Sequence, residues 1–136
     1  MNSSDEKDRT FISPVEATLS ILEGKWKPLV IWKLKEKTLR FSQLESVLPN
    51  ISPKMLTKQL RELEKGGLVG RKVYPEIPPR VEYFLTPKGN SLMPILDSLG
   101  AWGAVHLKDR IACPTFEKYT QVVKKGPSYS MRTDNE

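Results

Sequence analysis

Cysteine and histidine are nearly absent from this chain of 136 residues. It has one cysteine, Cys113, and one histidine, His106. A single cysteine cannot form a disulfide within the chain, and one histidine cannot supply a His/Cys metal cluster. The sequence also has no recognisable pair of nucleophile and general base, and no glycine-rich phosphate loop. These absences argue against an enzyme, and we expect neither a cofactor nor a metal.

Long apolar stretches are missing as well. No run approaches the ~20 apolar residues that a membrane span needs, and the polar N-terminus lacks the apolar core of a secretion signal. We therefore expect a cytoplasmic protein with no membrane partner. Hydrophobic residues make up 38% and charged residues 28% of the chain, which is typical of a globular protein, and this length suits one domain.

Positive charge is concentrated in one part of the chain. The whole chain has 22 basic and 16 acidic residues, a formal net charge of +6. Between Lys25 and Lys88 lie fourteen of the bases and six of the acids, so this segment carries +8 and the remainder −2. A basic segment of this kind favours a polyanion such as nucleic acid as the partner.

Cap residues followed by proline predict where several helices begin. Ser13-Pro14, Ser52-Pro53 and Thr86-Pro87 each pair a hydroxyl N-cap with a proline at the first helical position. Ser42 with Glu45 three residues later predicts a capping box and another short helix. These starts, combined with the spacing of apolar residues, place helices on both sides of a short extended segment.

The second half of the basic segment predicts a β-hairpin. Residues 68–74 and 81–85 read as two strands around a proline-rich loop. The expected order is helix, helix, short strand, helix, helix, strand, loop, strand, helix: a winged helix-turn-helix, mainly α with a small β-hairpin (α+β). We expect a flexible arm at 1–10, the winged helix-turn-helix domain with dimerisation helices at 11–112, and a polar tail without an assigned fold at 113–136.

The predicted helix over residues 52–65 has two chemically different faces. Its apolar residues recur at helical spacing on one side, and its basic residues recur on the other. A helix that enters the major groove of DNA needs this division, because one face must be anchored while long donors reach the bases. The expected base-contacting residues are Lys54, Thr57, Lys58 and Arg61, with Ser52 and Gln59 as secondary candidates.

Polar residues outside this helix complete the predicted DNA interface. Arg40, Ser42 and Gln43 surround the start of the preceding helix, where backbone N–H groups favour a phosphate. Lys72 and Arg80 mark the hairpin, the wing, which we expect on the flanking backbone or in the minor groove. The alternative for the basic helix is an ordinary amphipathic helix with a solvated face.

The helices at both ends carry more apolar surface than a small winged domain needs. We expect this surface to form a two-fold dimer interface, which would match a palindromic operator. Pro94 is expected to shorten or bend the first turn of the last helix. The predicted interface residues are Val15, Leu19, Leu22, Leu92, Ile95, Leu99 and Trp102.

Several motifs in order resemble one family, the HxlR-type winged helix-turn-helix transcriptional regulators. The resemblance extends from about Ile12 to Gly103. The segments that carry it are Pro14-Val15-Glu16, Gly24-Lys25-Trp26, Arg40-Phe41-Ser42-Gln43-Leu44, residues 51–64, Pro78-Pro79-Arg80-Val81-Glu82-Tyr83, Leu85-Thr86-Pro87-Lys88-Gly89 and Leu99-Gly100-Ala101-Trp102-Gly103.

This resemblance implies a small, dimeric, double-stranded DNA-binding regulator of bacteria, acting as repressor or activator. The family often has a cysteine directly before its Pro-Val pair, and in several members that thiol senses oxidants or electrophiles. Here the sensor position is Ser13, whose hydroxyl cannot perform thiolate chemistry. Cys113 is a weaker candidate, and a small-molecule or redox signal stays open. The alternative function is a winged-helix protein-interaction module without DNA affinity.

Overall fold

The computed structural model describes residues 9–35 and 37–112. The predicted tail from Cys113 onward and most of the predicted arm lie outside the described residues. By their internal contacts, the described residues divide into two compact units, one ending at Gly89 and the other beginning at Asn90.

The predicted order of elements is confirmed, except that the last helix is divided in two. No helix within the described ranges is long and apolar enough to cross a membrane. The elements are α1 (Pro14–Ile21), α2 (Trp26–Lys33), β1 (Leu39–Arg40), α3 (Phe41–Val47), α4 (Pro53–Lys65), β2 (Val69–Tyr74), β3 (Arg80–Leu85), α5 (Pro87–Asn90), α6 (Met93–His106) and a 3-10 turn at Lys108–Arg110.

Two helices start as their cap residues predict. The Ser13 hydroxyl accepts a hydrogen bond of 3.1 Å from the Glu16 N–H, and Pro14 is the first residue of α1. The Ser52 hydroxyl accepts one of 3.0 Å from the Met55 N–H at the start of α4. Each hydroxyl satisfies a backbone donor that has no partner within its helix.

The predicted start of α3 is wrong by two residues. Arg40, not Ser42, is the N-cap, and the Gln43 side-chain oxygen accepts a 2.8 Å hydrogen bond from the Arg40 N–H. Gln43 therefore does what the capping box assigned to Glu45. The cause is tertiary: Arg40 pairs with Glu82 as the last residue of β1, and the helix follows at once.

The last predicted helix is interrupted before Pro94. Thr86 caps the short helix α5 by accepting from the Gly89 N–H at 3.1 Å, and α6 starts at Met93. Proline has no N–H to donate to the carbonyl four residues earlier, so a helix that continued through Pro94 would lose this hydrogen bond and be kinked or broken. In the first turn of α6 the same residue is tolerated, because no intrahelical donor is needed there.

A three-stranded antiparallel sheet joins β1 to the predicted hairpin, in the order β1–β3–β2. The β2–β3 pairing runs without a break from Val69↔Leu85 to Tyr74↔Arg80, so the hairpin is regular up to its proline-rich tip. The strand β1 contributes only two residues, yet it ties the start of α3 to the hairpin.

The first unit is held together by an aliphatic core. Helices α2, α3 and α4 each turn a row of apolar side chains inward, and Leu68 adds to the core after α4. Gly67 ends α4 with φ +75°, a conformation that other residues rarely adopt. The largest fully buried side chains are Val30, Ile31, Leu44, Leu48, Leu56, Leu60, Leu63 and Leu68.

Candidate nucleic-acid interface

Helix α4 presents a row of cations on the face opposite its core contacts. Lys54, Lys58 and Arg61 are exposed and follow one another at spacings of four and three residues, which puts them on one side of a helix. At 1.5 Å per residue the row is ~10 Å long, about three base pairs of B-DNA. Its length and charge therefore suit a short stretch of a nucleic-acid groove.

Two hydroxyl groups near the start of α4 already take part in hydrogen bonds within the helix. The Thr57 hydroxyl donates to the Pro53 carbonyl at 2.9 Å, and Thr57 is half-buried. Ser52 is exposed, and its hydroxyl already caps the helix. Thr57 therefore retains acceptor capacity and a methyl group for a ligand, while Ser52 retains its hydroxyl proton.

Gln59 was predicted as a secondary base contact, and the structure contradicts this. Its side chain is only 9% exposed, and its amide nitrogen contacts Met55 Sδ at 3.2 Å. The side-chain oxygen is buried and has no donor among the described residues. Gln59 lies three residues after Leu56 and four before Leu63, so the helical period puts it on the buried face despite its polarity. It cannot reach a base from there.

The start of α3 gathers the three residues predicted to meet a phosphate. Arg40, Ser42 and Gln43 are all exposed. The Gln43 side-chain oxygen accepts from the Arg40 N–H, and both hydrogens of its amide nitrogen remain to donate to another partner. The arrangement leaves the Arg40 guanidinium and the Ser42 hydroxyl at the surface.

Arg80, the main predicted wing contact, is held by its own hairpin. Its guanidinium carbon lies 4.0 Å from the centre of the Tyr74 ring, and Nη2 is 3.4 Å from a Glu76 carboxylate oxygen. Lys72 Nζ also lies near that ring, at 4.9 Å, and Lys72 is exposed. Tyr74 was not identified from the sequence as part of the wing, although the hairpin register pairs it with Arg80.

Polar contacts connect α4 with the hairpin. Arg71 Nε lies 3.3 Å from a Glu64 carboxylate oxygen. Tyr83, the cross-strand partner of Arg71, has a pKa raised above 10.0, first because it is buried and next because Glu64 is negatively charged; Arg71 and Arg61 oppose the rise. Sequence reasoning did not identify this group, because its members come from three separate elements.

Lys88 contacts the other end of the same helix. Its Nζ donates to the Gly66 carbonyl at 2.9 Å and so stabilises the C-terminus of α4. The basic residues on α4 and around the hairpin thus divide into two groups. Those with internal partners, such as Arg71, Arg80 and Lys88, position the interface, while the row on α4 is directed outward.

The residues predicted to form a dimer interface also differ in exposure. On α1, Val15 and Leu19 are exposed, while Leu22, the residue after the helix, is only 8% exposed. On α6 the exposed residues are Ile95, Leu99 and Trp102, while Leu92, the residue before the helix, is only 7% exposed. Leu22 and Leu92 have too little surface to serve as main contacts with a second copy, which corrects their assignment and leaves five of the seven.

The predicted sensor position has a structural use. The Ser13 hydroxyl caps α1 through the Glu16 N–H. Nearby, a cavity of about 630 Å³ opens between the N-terminal segment, α1 and the last turn of α4; Phe11, Ile21 and Leu63 are among the residues that line it. Its volume falls within the ~300–1,000 Å³ range of small-molecule sites. The second sensor candidate, Cys113, lies outside the described residues.

Comparisons with known proteins identify helix-turn-helix proteins as similar to this chain. The model of the HxlR-like helix-turn-helix family matches residues 21–111. The chain is 50% identical over 111 residues to the HTH-type transcriptional regulator YtcD of Bacillus subtilis, a match covering 82% of this chain and 86% of that protein. It is 49% identical over 105 residues to an HTH-type transcriptional regulator of Methanothermobacter thermautotrophicus, covering 77% and 80% respectively.

Among solved structures, the redox regulator HypR in its oxidized form superimposes on this chain with a TM-score of 0.64. The two chains are 44% identical, and the match covers 67% of this chain and 94% of that one. The family match over residues 21–111 includes α4 and the hairpin, which build the basic surface.

Proposed function

Because the chain belongs to the HxlR-like helix-turn-helix family, we propose that it reads a specific double-stranded DNA sequence as a homodimer, with α4 in the major groove. Membership makes it a DNA-binding transcriptional regulator and not an enzyme, as its relatives are transcriptional regulators. Beyond family membership, we propose which groove α4 enters, which residues contact the bases, and that the protein is a dimer.

One observation carries the proposal: the row of Lys54, Lys58 and Arg61 is exposed on a helix whose opposite side is buried in the core. A helix anchored in this way needs no rearrangement to present its donors. The N-cap bond of Ser52 also fixes where the helix begins. Such preorganisation lowers the entropic cost of forming specific hydrogen bonds with bases.

The chemistry of the row suggests a role for each residue. The planar guanidinium of Arg61 suits a bidentate contact with O6 and N7 of guanine, and Lys58 suits the same acceptors or a phosphate. Thr57 offers a methyl group to thymine, or an acceptor to the amino group of adenine or cytosine. Lys54, close to the helix start, is suited to a base edge or the neighbouring phosphate.

Contacts around α4 would set its register on the duplex. Arg40 and Ser42 would bind backbone phosphate, with Gln43 and Ser52 donating from their remaining hydrogens. On the wing, Lys72 would follow the flanking backbone, and Arg80 would touch it only with the edge left free by Tyr74 and Glu76. Gln59 takes no part.

A second copy of the chain would double this interface. Val15 and Leu19, together with the α6 residues Ile95, Leu99 and Trp102, supply exposed apolar surface for it. A two-fold dimer would present two α4 helices to a palindromic operator with half-sites about one helical turn, ~34–36 Å, apart. Such a regulator works on the chromosome, and hence in the cytoplasm.

The test begins with selection of duplexes from a random pool by the wild-type protein, followed by fluorescence anisotropy on the selected duplex and on a shuffled one. We expect Arg61→Ala and Lys58→Ala each to weaken binding by ~1–3 kcal/mol. Lys108→Ala removes the same charge from the 3-10 turn and serves as the matched control, with near wild-type affinity.

Three results would contradict the proposal. If Arg61→Ala and Lys58→Ala both bind like the wild type, α4 does not read the site. If the selected and shuffled duplexes bind equally at every salt concentration, the protein is not sequence-specific. If no duplex is enriched at all, the alternative of a protein-interaction module gains support.

A further inference from the structure

The tip of the hairpin, residues 75–79, presents a single aliphatic side chain at its apex. Ile77 is completely exposed, and prolines occupy positions 75, 78 and 79. Isolated exposed apolar side chains are common on protein surfaces, so exposure alone decides nothing. What distinguishes Ile77 is the structure directly behind it.

The base of the tip is held rigidly. Tyr74 and Arg80 form the last pair of the β2–β3 ladder, and the Arg80 guanidinium stacks on the Tyr74 ring at 4.0 Å. Glu76 is tied to the same base twice, through its carboxylate to Arg80 at 3.4 Å and through its N–H to the Tyr74 carbonyl at 2.8 Å. The rings of the three prolines fix their own φ, and Pro78 also narrows the backbone conformations open to Ile77 before it. Ile77 is therefore presented on a preorganised support.

The charges of the hairpin are arranged around this apex. Glu76, the only acidic residue of the tip, is neutralised by Arg80. Behind the tip, Lys72 lies opposite Glu82 in the β2–β3 ladder; Lys72 is exposed and Glu82 is half-buried, so the positive charge is the more accessible of the two. Minor-groove proteins combine basic side chains with apolar wedges inserted between base steps, and this hairpin offers Lys72 and Ile77 for the two parts.

The hairpin is also long enough to reach such a groove. Strand β2 starts at Val69, just after α4, and pairs with β3 along all six of its residues. At ~3.4 Å per residue, the ladder carries its last residue ~17 Å from the first. Half a turn of B-DNA, ~17 Å, separates a major groove from the neighbouring minor groove on the same face.

We propose that Ile77 is a minor-groove wedge, which inserts between two base pairs beside each half-site, unstacks them and bends the duplex. This inference rests on the proposed function, since it requires α4 in the adjacent major groove. Unstacking is least costly at pyrimidine–purine steps such as TA. Ile77 thus confers a preference for deformable sequence at positions that the reading helix does not touch.

The experiment uses the full-length protein and the selected duplex, with the fluorescent base 2-aminopurine placed in turn at each flanking step. Its fluorescence rises when it unstacks. We expect a rise at one step per half-site with the wild type and with Ile77→Leu, and none with Ile77→Ser. Lys72→Ala is the control within the same hairpin: it weakens binding and lowers its salt dependence but keeps the rise.

A second measurement tests the energetic consequence. When the flanking TA step is replaced by a stiff A-tract, wild-type affinity should fall about tenfold, whereas Ile77→Ser should bind both duplexes alike. End-to-end energy transfer should show a bend with the wild type that Ile77→Ser lacks. Because Ile77 is fully exposed, Ile77→Ser should fold normally, which circular dichroism checks.

Failure of the wedge and failure of the proposed function give different results. Specific binding of the selected duplex by the wild type, with no rise in 2-aminopurine fluorescence at any flanking step, refutes the wedge but leaves the proposed role of α4 intact. The wedge is also refuted if Ile77→Ser keeps the rise, or if it loses regulation in cells while binding and bending DNA normally, since the apex would then contact a protein. If no duplex is bound specifically, both proposals fail.

Discussion

Lys27 Nζ lies 2.6 Å from a carboxylate oxygen of Glu62, and this ion pair joins α2 to α4. The Lys27 side chain is 14% exposed and the Glu62 side chain 34%, so water screens the pair less than it would at an open surface. Glu62 directly follows Arg61 on α4. The pair therefore helps to fix the helix from which the predicted reading residues project.

Breaking this pair should destabilise the fold. We expect Glu62→Gln to lower the free energy of unfolding by ~1–2 kcal/mol, between the values typical of exposed and of buried pairs. Lys27→Met should cost less, because the Glu62 carboxylate that it leaves unpaired is 34% exposed and better hydrated than the Lys27 ammonium, and the double variant should recover part of the loss. Urea unfolding measures all three, with the exposed Glu23→Gln as control. Strictly additive effects would show that the two side chains do not interact.

Replacing Gln59 by leucine should leave DNA binding intact and raise stability. The change removes a buried side-chain oxygen that has no donor among the described residues, which is worth up to ~1 kcal/mol in the free energy of unfolding. Thermal unfolding and DNA anisotropy on the same samples check both parts. A loss of affinity comparable to that of Arg61→Ala would instead place Gln59 at the bases.

Charge placed in the exposed row of α6 should prevent dimer formation. Leu99→Lys puts an ammonium group between Ile95 and Trp102. Burying an unpaired charge in an apolar interface carries a large free-energy cost of desolvation. Sedimentation should show a monomer, whereas Leu107→Lys, outside the row, should remain dimeric. A wild-type protein that is monomeric at micromolar concentration would remove the basis for this expectation.

Alkaline pH should reveal the environment of Tyr83. Its pKa is raised above 10.0, first by burial and then by the charge of Glu64. The unfolded chain therefore loses this proton first, so the contribution of Tyr83 to stability is intact below about pH 10 and is lost as the pH rises through its folded pKa. Above pH 10, the free energy of unfolding of Tyr83→Phe should decline less steeply than that of the wild type. The tyrosinate absorbance of the wild type minus that of Tyr83→Phe measures the pKa directly, and a midpoint at or below 10 would contradict the assignment.

Local patterns account for most of the elements. The caps at Ser13 and Ser52 depend on hydrogen bonds that span three residues, so the sequence is sufficient to predict them. The break at Pro94 likewise follows from one missing N–H. The start of α3 could not be predicted in this way, because the pairing of Arg40 with Glu82 depends on a strand about forty residues away.

The sequence by itself determined the helix-turn-helix with its hairpin and the two faces of α4, because periodicity and capping act over a few residues. Only the tertiary structure decided which polar groups are available at the interface. Arg80 stacks on Tyr74, and Lys88 caps the end of α4. Both contacts join different elements of the fold, which no short sequence pattern encodes, whereas the inward position of Gln59 follows from its spacing to Leu56 and Leu63 on one helix.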